Sequence, residues 1–183
     1  MAFKNKFIRN TLTGQSFRFL KTAKDTNGEL LEMESAYQPH SPEPAPHFHP
    51  QQTEDFTIVS GELTVRLNGQ VTIYKQGDKL HVPPMTVHSM WNASGTETVV
   101  NWQVRPALDT EFFFETLTGL ANDGKASSAG KPPLLQTALI ARRFSGVFRL
   151  AKPSPRVQNV LFGVLSPVAR LVGYRPTYDK YLN

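Results

Sequence analysis

Glu62-Leu63-Thr64-Val65-Arg66-Leu67-Asn68-Gly69-Gln70-Val71-Thr72-Ile73-Tyr74 decides the fold class. Leu63, Val65 and Leu67 alternate with polar neighbours, which puts them on one face of a strand. Asn68-Gly69 then separates this run from a second that carries Val71, Ile73 and Tyr74. A type I′ turn needs positive φ at both central positions, and Asn-Gly meets that need at low steric cost, so the two runs read as a β-hairpin. Working outward, Glu29–Tyr37, Thr53–Ser60 and Thr98–Arg105 are further strand-like runs. Many short strands at this spacing, with no helical pattern between them, specify a sandwich or barrel. It is expected to span about residues 7–106.

After Pro106 the pattern changes. Helices are predicted at about 109–121, 134–151 and 156–172, which divides the chain into a β-barrel (1–106) and a helical extension (107–183). Asp109 is placed to cap the first helix. Lys125–Pro133, rich in Ser, Gly and Pro, reads as a linker. Arg142, Ser145, Arg149 and Lys152 recur at spacings of three and four, as on one face of a helix. Pro153 and Pro155 end the second helix, and Pro167 interrupts or kinks the third.

The 183 residues are 39% apolar and 19% charged, which supports a sizeable core rather than a disordered chain. There is no cysteine, so disulfides, thiolate-bound zinc or iron–sulfur centres and a cysteine nucleophile are excluded. Charge is unevenly spread. Residues 1–31 carry six basic and two acidic groups, residues 32–130 five and twelve, and residues 131–183 nine and one. The longest uncharged apolar run, Val157–Ala169, has thirteen residues, against the roughly 20 needed to span a bilayer. Met1–Leu12 lacks the apolar run of a secretory signal. A soluble, cytoplasmic protein is the expectation.

All five histidines lie between His40 and His88. In an extended segment, period-2 geometry points His47 and His49 to one face and Phe48 to the other. Glu54, sharing a face with Phe56 and Ile58, follows closely, and His88 arrives behind the Pro83-Pro84 bend. Three imidazoles and one carboxylate can converge inside a small barrel. That donor set suits a divalent first-row metal and leaves coordination positions open. Taken singly, each residue has an ordinary reading as a hydrogen-bonded or solvated side chain. His40, in a Pro-rich loop, and His81, alternating with Leu80 and Val82, are read as surface residues.

Residues 46–92 resemble the two signature motifs of the cupin superfamily. The first is met by His47, His49, Glu54 and Gly61, and the second by Gly77, Pro83, His88 and Asn92. Met85 stands where the second motif has a glycine. Methionine does not take positive φ cheaply, so the bend is expected to differ, or the side chain to line the pocket mouth. The resemblance implies a jelly-roll (double-stranded β-helix) barrel, often a homodimer. It also implies one divalent metal (Fe, Mn, Ni, Cu or Zn) held by His47, His49, Glu54 and His88, with Glu54 also the candidate catalytic carboxylate.

The expected substrate pocket is Phe56, Ile58, Met85, Met90, Asn92 and Trp102. A mostly apolar lining suits an aromatic or otherwise apolar small molecule, although a barrel core needs the same residues. Three function classes stay open. They are a metalloenzyme of oxygenase or isomerase type, a noncatalytic metal- or ligand-binding protein, and a peripheral membrane protein with the barrel as scaffold. No recognition motif accompanies the basic charge, so nucleic-acid binding is not expected. A helix carrying Phe112-Phe113-Phe114 should bury at least two rings on the barrel. The last two helices either pack on the barrel, exchange across a dimer, or make weak contact with an anionic membrane surface.

Overall fold

The computed structural model describes residues 2–128 and 130–182. In chain order the strands of the barrel are β1 (Phe7–Arg9), β2 (Ser16–Lys21), β3 (Leu31–Tyr37), β4 (His47–Phe48), β5 (Thr53–Ser60), β6 (Glu62–Leu67), β7 (Gln70–Lys75), β8 (Lys79–Val82), β9 (His88–Trp91) and β10 (Thr98–Arg105). Then come helices α1 (Thr110–Asn122) and α2 (Leu134–Arg143), strand β11 (Arg149–Leu150) and helix α3 (Pro155–Leu171). The strands make two antiparallel sheets, ordered β1-β2-β3-β10-β5-β8 and β11-β4-β9-β6-β7.

The hairpin is formed as its sequence dictates. Leu67 pairs with Gln70, and Asn68 and Gly69 take φ of 48° and 90°. β5 and β10 alternate buried and accessible residues, the mark of strands with one face on a core. That core joins both sheets: Met33, Phe56, Ile58, Val100 and Val104 from one meet Leu63, Val65 and Met90 from the other. Each fully buried side chain of this size contributes about 1.5–3 kcal/mol. Gly61 turns the chain between β5 and β6 with φ of 77°, and a Cβ there would lie 2.5 Å from the Glu97 carbonyl oxygen.

The helical extension packs on the barrel through its aromatic rings. Phe113 is buried and Phe112 and Phe114 are partly so. Phe114 stacks on Phe17 at 4.5 Å and meets Trp102 at 5.2 Å. Asp109 does not cap α1 with its side chain; its carboxylate instead accepts from Arg143 at 2.6 Å. Glu111 and Glu115 both turn inward. Glu115 pairs with Lys6 at 2.6 Å, and Glu111 accepts the Ala23 amide at 3.0 Å.

The helix expected over 134–151 ends at Arg143. The chain turns through Phe144–Phe148, and Arg149–Leu150 becomes an edge strand on β4, with Arg149 opposite Phe48 and Leu150 opposite His47. Phe144 and Val147 are pulled into the second apolar cluster with Phe113, Leu120 and Ile140. Burial of these two side chains and pairing to β4 outweigh helical continuation, which would break both. Arg142, Ser145 and Arg149, read above as a helical stripe, line a cleft of about 200 Å³ with Gln158, Asn159 and Phe162. α3 runs through Pro167 without ending there. The expected 125–133 linker contains Ala129, and Met1 and Asn183 end the two expected domains; these three lie outside the described residues. Among the described residues, no helix is long and apolar enough to cross a membrane.

Candidate metal centre

His47 opens β4, His49 follows its end, and His88 opens β9, where it pairs directly with His47. Glu54 comes from β5 in the opposite sheet. The cluster therefore lies between the two sheets. One ring nitrogen from each of His47, His49 and His88 falls within 4.8 Å of the others. Glu54 touches two of the three imidazoles, with Oε1 3.3 Å from His49 Nε2 and Oε2 3.0 Å from His88 Nε2.

The backbone sets the tautomers. Nδ1 of His47 faces the Ala45 carbonyl at 3.1 Å, that of His49 the Val147 carbonyl at 2.5 Å, and that of His88 the Thr86 carbonyl at 2.9 Å. A carbonyl oxygen only accepts, so each Nδ1 carries the hydrogen and each neutral ring presents its Nε2 lone pair. Metal-binding histidines are oriented in this way. Trp102 Nε1 donates to Glu54 Oε1 at 3.2 Å and fixes the carboxylate plane.

Burial pushes His47 down to about 3, and the neighbouring His88 and His49 add to the effect. Burial also opposes charge on His49, yet the Glu54 carboxylate outweighs it and raises that ring. Burial would raise Glu54, but His49 and His88 win and hold its carboxyl well below the usual range. Glu54 is thus an anion facing imidazoles. His49 Nε2 and Glu54 Oε2 are buried without an aligned hydrogen-bond partner. Leaving such atoms unsatisfied costs about 1–3 kcal/mol each. Three imidazole nitrogens and one carboxylate, with His49 Nε2 and Glu54 Oε2 buried and without an aligned partner, fit a divalent transition metal.

Phe148, which the sequence reading did not single out, covers this cluster. Its ring stacks on His47 at 4.6 Å and on Phe113 at 5.0 Å. Together with the Val147 carbonyl it makes the extension part of the site. Only a contact 98 residues apart in sequence creates that role, so no local signal marks it.

The expected pocket residues divide. Phe56, Ile58 and Met90 are buried in the barrel core, and Phe56 packs on Trp102 at 5.0 Å. Asn92 does not face the cluster. Its side chain donates to the Tyr37 and Thr96 carbonyls and accepts from Ser94, which makes it a loop clamp. β9 ends at Trp91, so the alternation that placed Asn92 beside His88 no longer applies. Met85 keeps the bend a glycine would make, with φ of 64°, and its side chain is 62% exposed. His81 is exposed and bonded to Asp55 at 2.7 Å, and His40 is exposed too.

Residues 33–104 match the family model described as Cupin domain. The matched residues lie within the two-sheet β portion, which is therefore similar to a cupin domain from β3 to β10. Among curated proteins, a quercetin 2,3-dioxygenase of Bacillus subtilis is 37% identical over 79 residues, 43% of this chain and 23% of that protein. The oxidoreductase macE of Penicillium terrestre is 42% identical over 55 residues, 30% of this chain and 21% of its own length. The chain thus spans under a quarter of these relatives. Among solved structures, an RmlC-like cupin from Shewanella frigidimarina has a TM-score of 0.49 and 21% identity, covering 61% of this chain and 94% of its own. KdgF from Halomonas sp. has 0.46 and 18%, covering 54% and 84%.

Proposed function

We propose that this protein is a metal-dependent enzyme of dioxygenase or isomerase type, acting on a small, largely apolar or aromatic organic molecule. The observation that carries the reading is the pinning of all three Nδ1 atoms by backbone carbonyls around a buried carboxylate. His47, His49, His88 and Glu54 would hold one divalent ion of Fe, Mn, Ni, Cu or Zn. Such an ion, when bound, supplies Lewis acidity at its open positions. The chain's own residues do the rest. Trp102 holds Glu54 Oε1 and so orients the carboxylate, the candidate catalytic group, toward the imidazoles. Phe148, stacked on His47, restricts water on that side of the imidazoles. The curated relatives, a dioxygenase and an oxidoreductase, support the same reaction class.

The lid-like position of Phe148 over His47 favours a second reading, a noncatalytic metal- or ligand-binding protein. Elemental analysis of protein purified without added metal, followed by oxygen uptake and product formation on catechols, flavonols and enediols, separates the two. Turnover that disappears in Glu54→Ala supports the enzyme. Metal or ligand binding without consumption under every metal supports the binder. Full metal occupancy in His47→Ala/His49→Ala overturns the site.

A further inference from the structure

α3 carries an apolar face on its outer side. Val157, Val160, Leu161, Val164, Val168, Leu171 and, one residue beyond the helix, Val172 are all exposed, Val164 by 67% and Leu171 by 87%. At about 100° per residue their directions fall within an arc of about 120°. Gln158, Phe162, Ser166 and Ala169 form the opposite, buried face. The helix therefore meets the protein with one side and offers an aliphatic stripe to its surroundings with the other. Isolated surface aliphatics are ordinary, but a contiguous stripe of seven marks an interaction site.

Charge identifies the occupant. No acidic residue occurs between Asp123 and Asp179, a stretch holding nine basic ones. Lys152, Arg156, Arg170 and Arg175 are exposed around α3, and among the described residues none has a carboxylate partner. Two copies meeting through this face would bring like charges together. Protein interfaces also enrich their centres in aromatic residues and Met, whereas this stripe is only Val and Leu. A lipid surface demands no shape complementarity and accepts a plain aliphatic stripe. α3 is about 25 Å long at 1.5 Å per residue, suited to lying in the plane of a bilayer interface.

We infer that α3 docks the protein on an anionic lipid surface, its Val/Leu stripe in the acyl boundary and its flanking cations on the headgroups. Apolar burial and charge together make two signals, the number that membrane attachment beyond a marginal affinity takes. The helix is also tied to the barrel, since Gln158 donates to the Leu150 and Pro153 carbonyls beside the strand paired to His47. Docking would hold the candidate metal centre close to the bilayer.

The test is flotation of the full-length protein with phosphatidylcholine vesicles, with and without 30% phosphatidylglycerol. The protein should float with the anionic vesicles, stay behind with the neutral ones, and be released by about 0.5 M salt. Arg156→Gln/Arg170→Gln should weaken partition roughly fivefold per cation. Val160→Ser/Val164→Ser/Leu171→Ser, at exposed positions, should abolish flotation with an unchanged circular dichroism spectrum. Absence of wild-type flotation on anionic vesicles overturns the inference. So does undiminished binding of the triple-serine variant. A dimer in light scattering that this variant splits, without vesicle binding, assigns the stripe to a second copy instead.

Discussion

The Val147 carbonyl oxygen lies 2.5 Å from Nδ1 of His49, joining the helical extension to the histidine cluster across 98 residues of chain. The barrel supplies the imidazoles and Glu54, while the extension supplies one of the three anchors and the Phe148 ring above them. Their coupling is testable at Phe148, which bonds to neither sheet but stacks on both His47 and Phe113.

Phe148→Ala should lower stability by about 1–2 kcal/mol, because the ring is only partly buried. It should also loosen the Val147 strap and weaken metal binding about tenfold, the lower end for a residue that orients a ligand. Chelator competition and thermal melts report the two effects. Phe148→Tyr, which keeps the stack, should restore affinity. A stability loss with unchanged affinity would leave the ring a packing residue only.

Asn92→Ala should destabilise by about 2 kcal/mol or more, since it strands the Tyr37 and Thr96 carbonyls and the Ser94 amide. Metal content should be normal, because Asn92 points into its own loop. Denaturant titration and elemental analysis decide this; lost metal in a folded variant would return Asn92 to the site.

Met85→Gly should stabilise. Met85 holds φ of 64°, where an L side chain costs roughly 1–2 kcal/mol and glycine nearly nothing. Glycine's greater freedom when unfolded takes back part of this, leaving about 0.5–1 kcal/mol. The side chain is 62% exposed, so little packing is lost. The Met85 amide still donates to the His49 carbonyl at 2.9 Å. A fall in melting temperature would mean that the methionine makes contacts the turn depends on.

Much of this was legible where the pattern is local. Alternation set the bounds of Thr53–Ser60 and Thr98–Arg105, and Asn68-Gly69 announced its turn. His47, His49 and His88 come together because period 2 and one strand pairing suffice to place them. Where the structure departs from the helical pattern at Phe144–Leu150, distant chain is the cause. Phe144–Leu150 keeps a helix-compatible composition, and only the apolar cluster under α1 and the free edge of β4 divert it. The same diversion brings Phe148 to His47. Asn92 departs from the alternation for a local reason: β9 ends at Trp91, one residue before it.

Glu111 gives the pH dependence a definite sign. Burial raises its carboxyl above the ordinary 4.5; the Ala23 amide, bonded at 3.0 Å, opposes, and nearby Glu115 and Asp25 add to the rise. A carboxyl raised on folding holds its proton longer in the native state than in the unfolded one. Below pH 4.5 both states are protonated and Glu111 costs nothing. As pH rises from there through the folded value, ionisation is harder in the native state, so stability falls and then levels off. Glu111→Gln removes the charge, and its amide oxygen can still accept from Ala23. The variant should therefore match the wild type near pH 4 and melt higher at pH 8. Melting temperatures at pH 4, 6 and 8 check it. A gap of constant size would show that lost packing, not the buried charge, separates the two proteins.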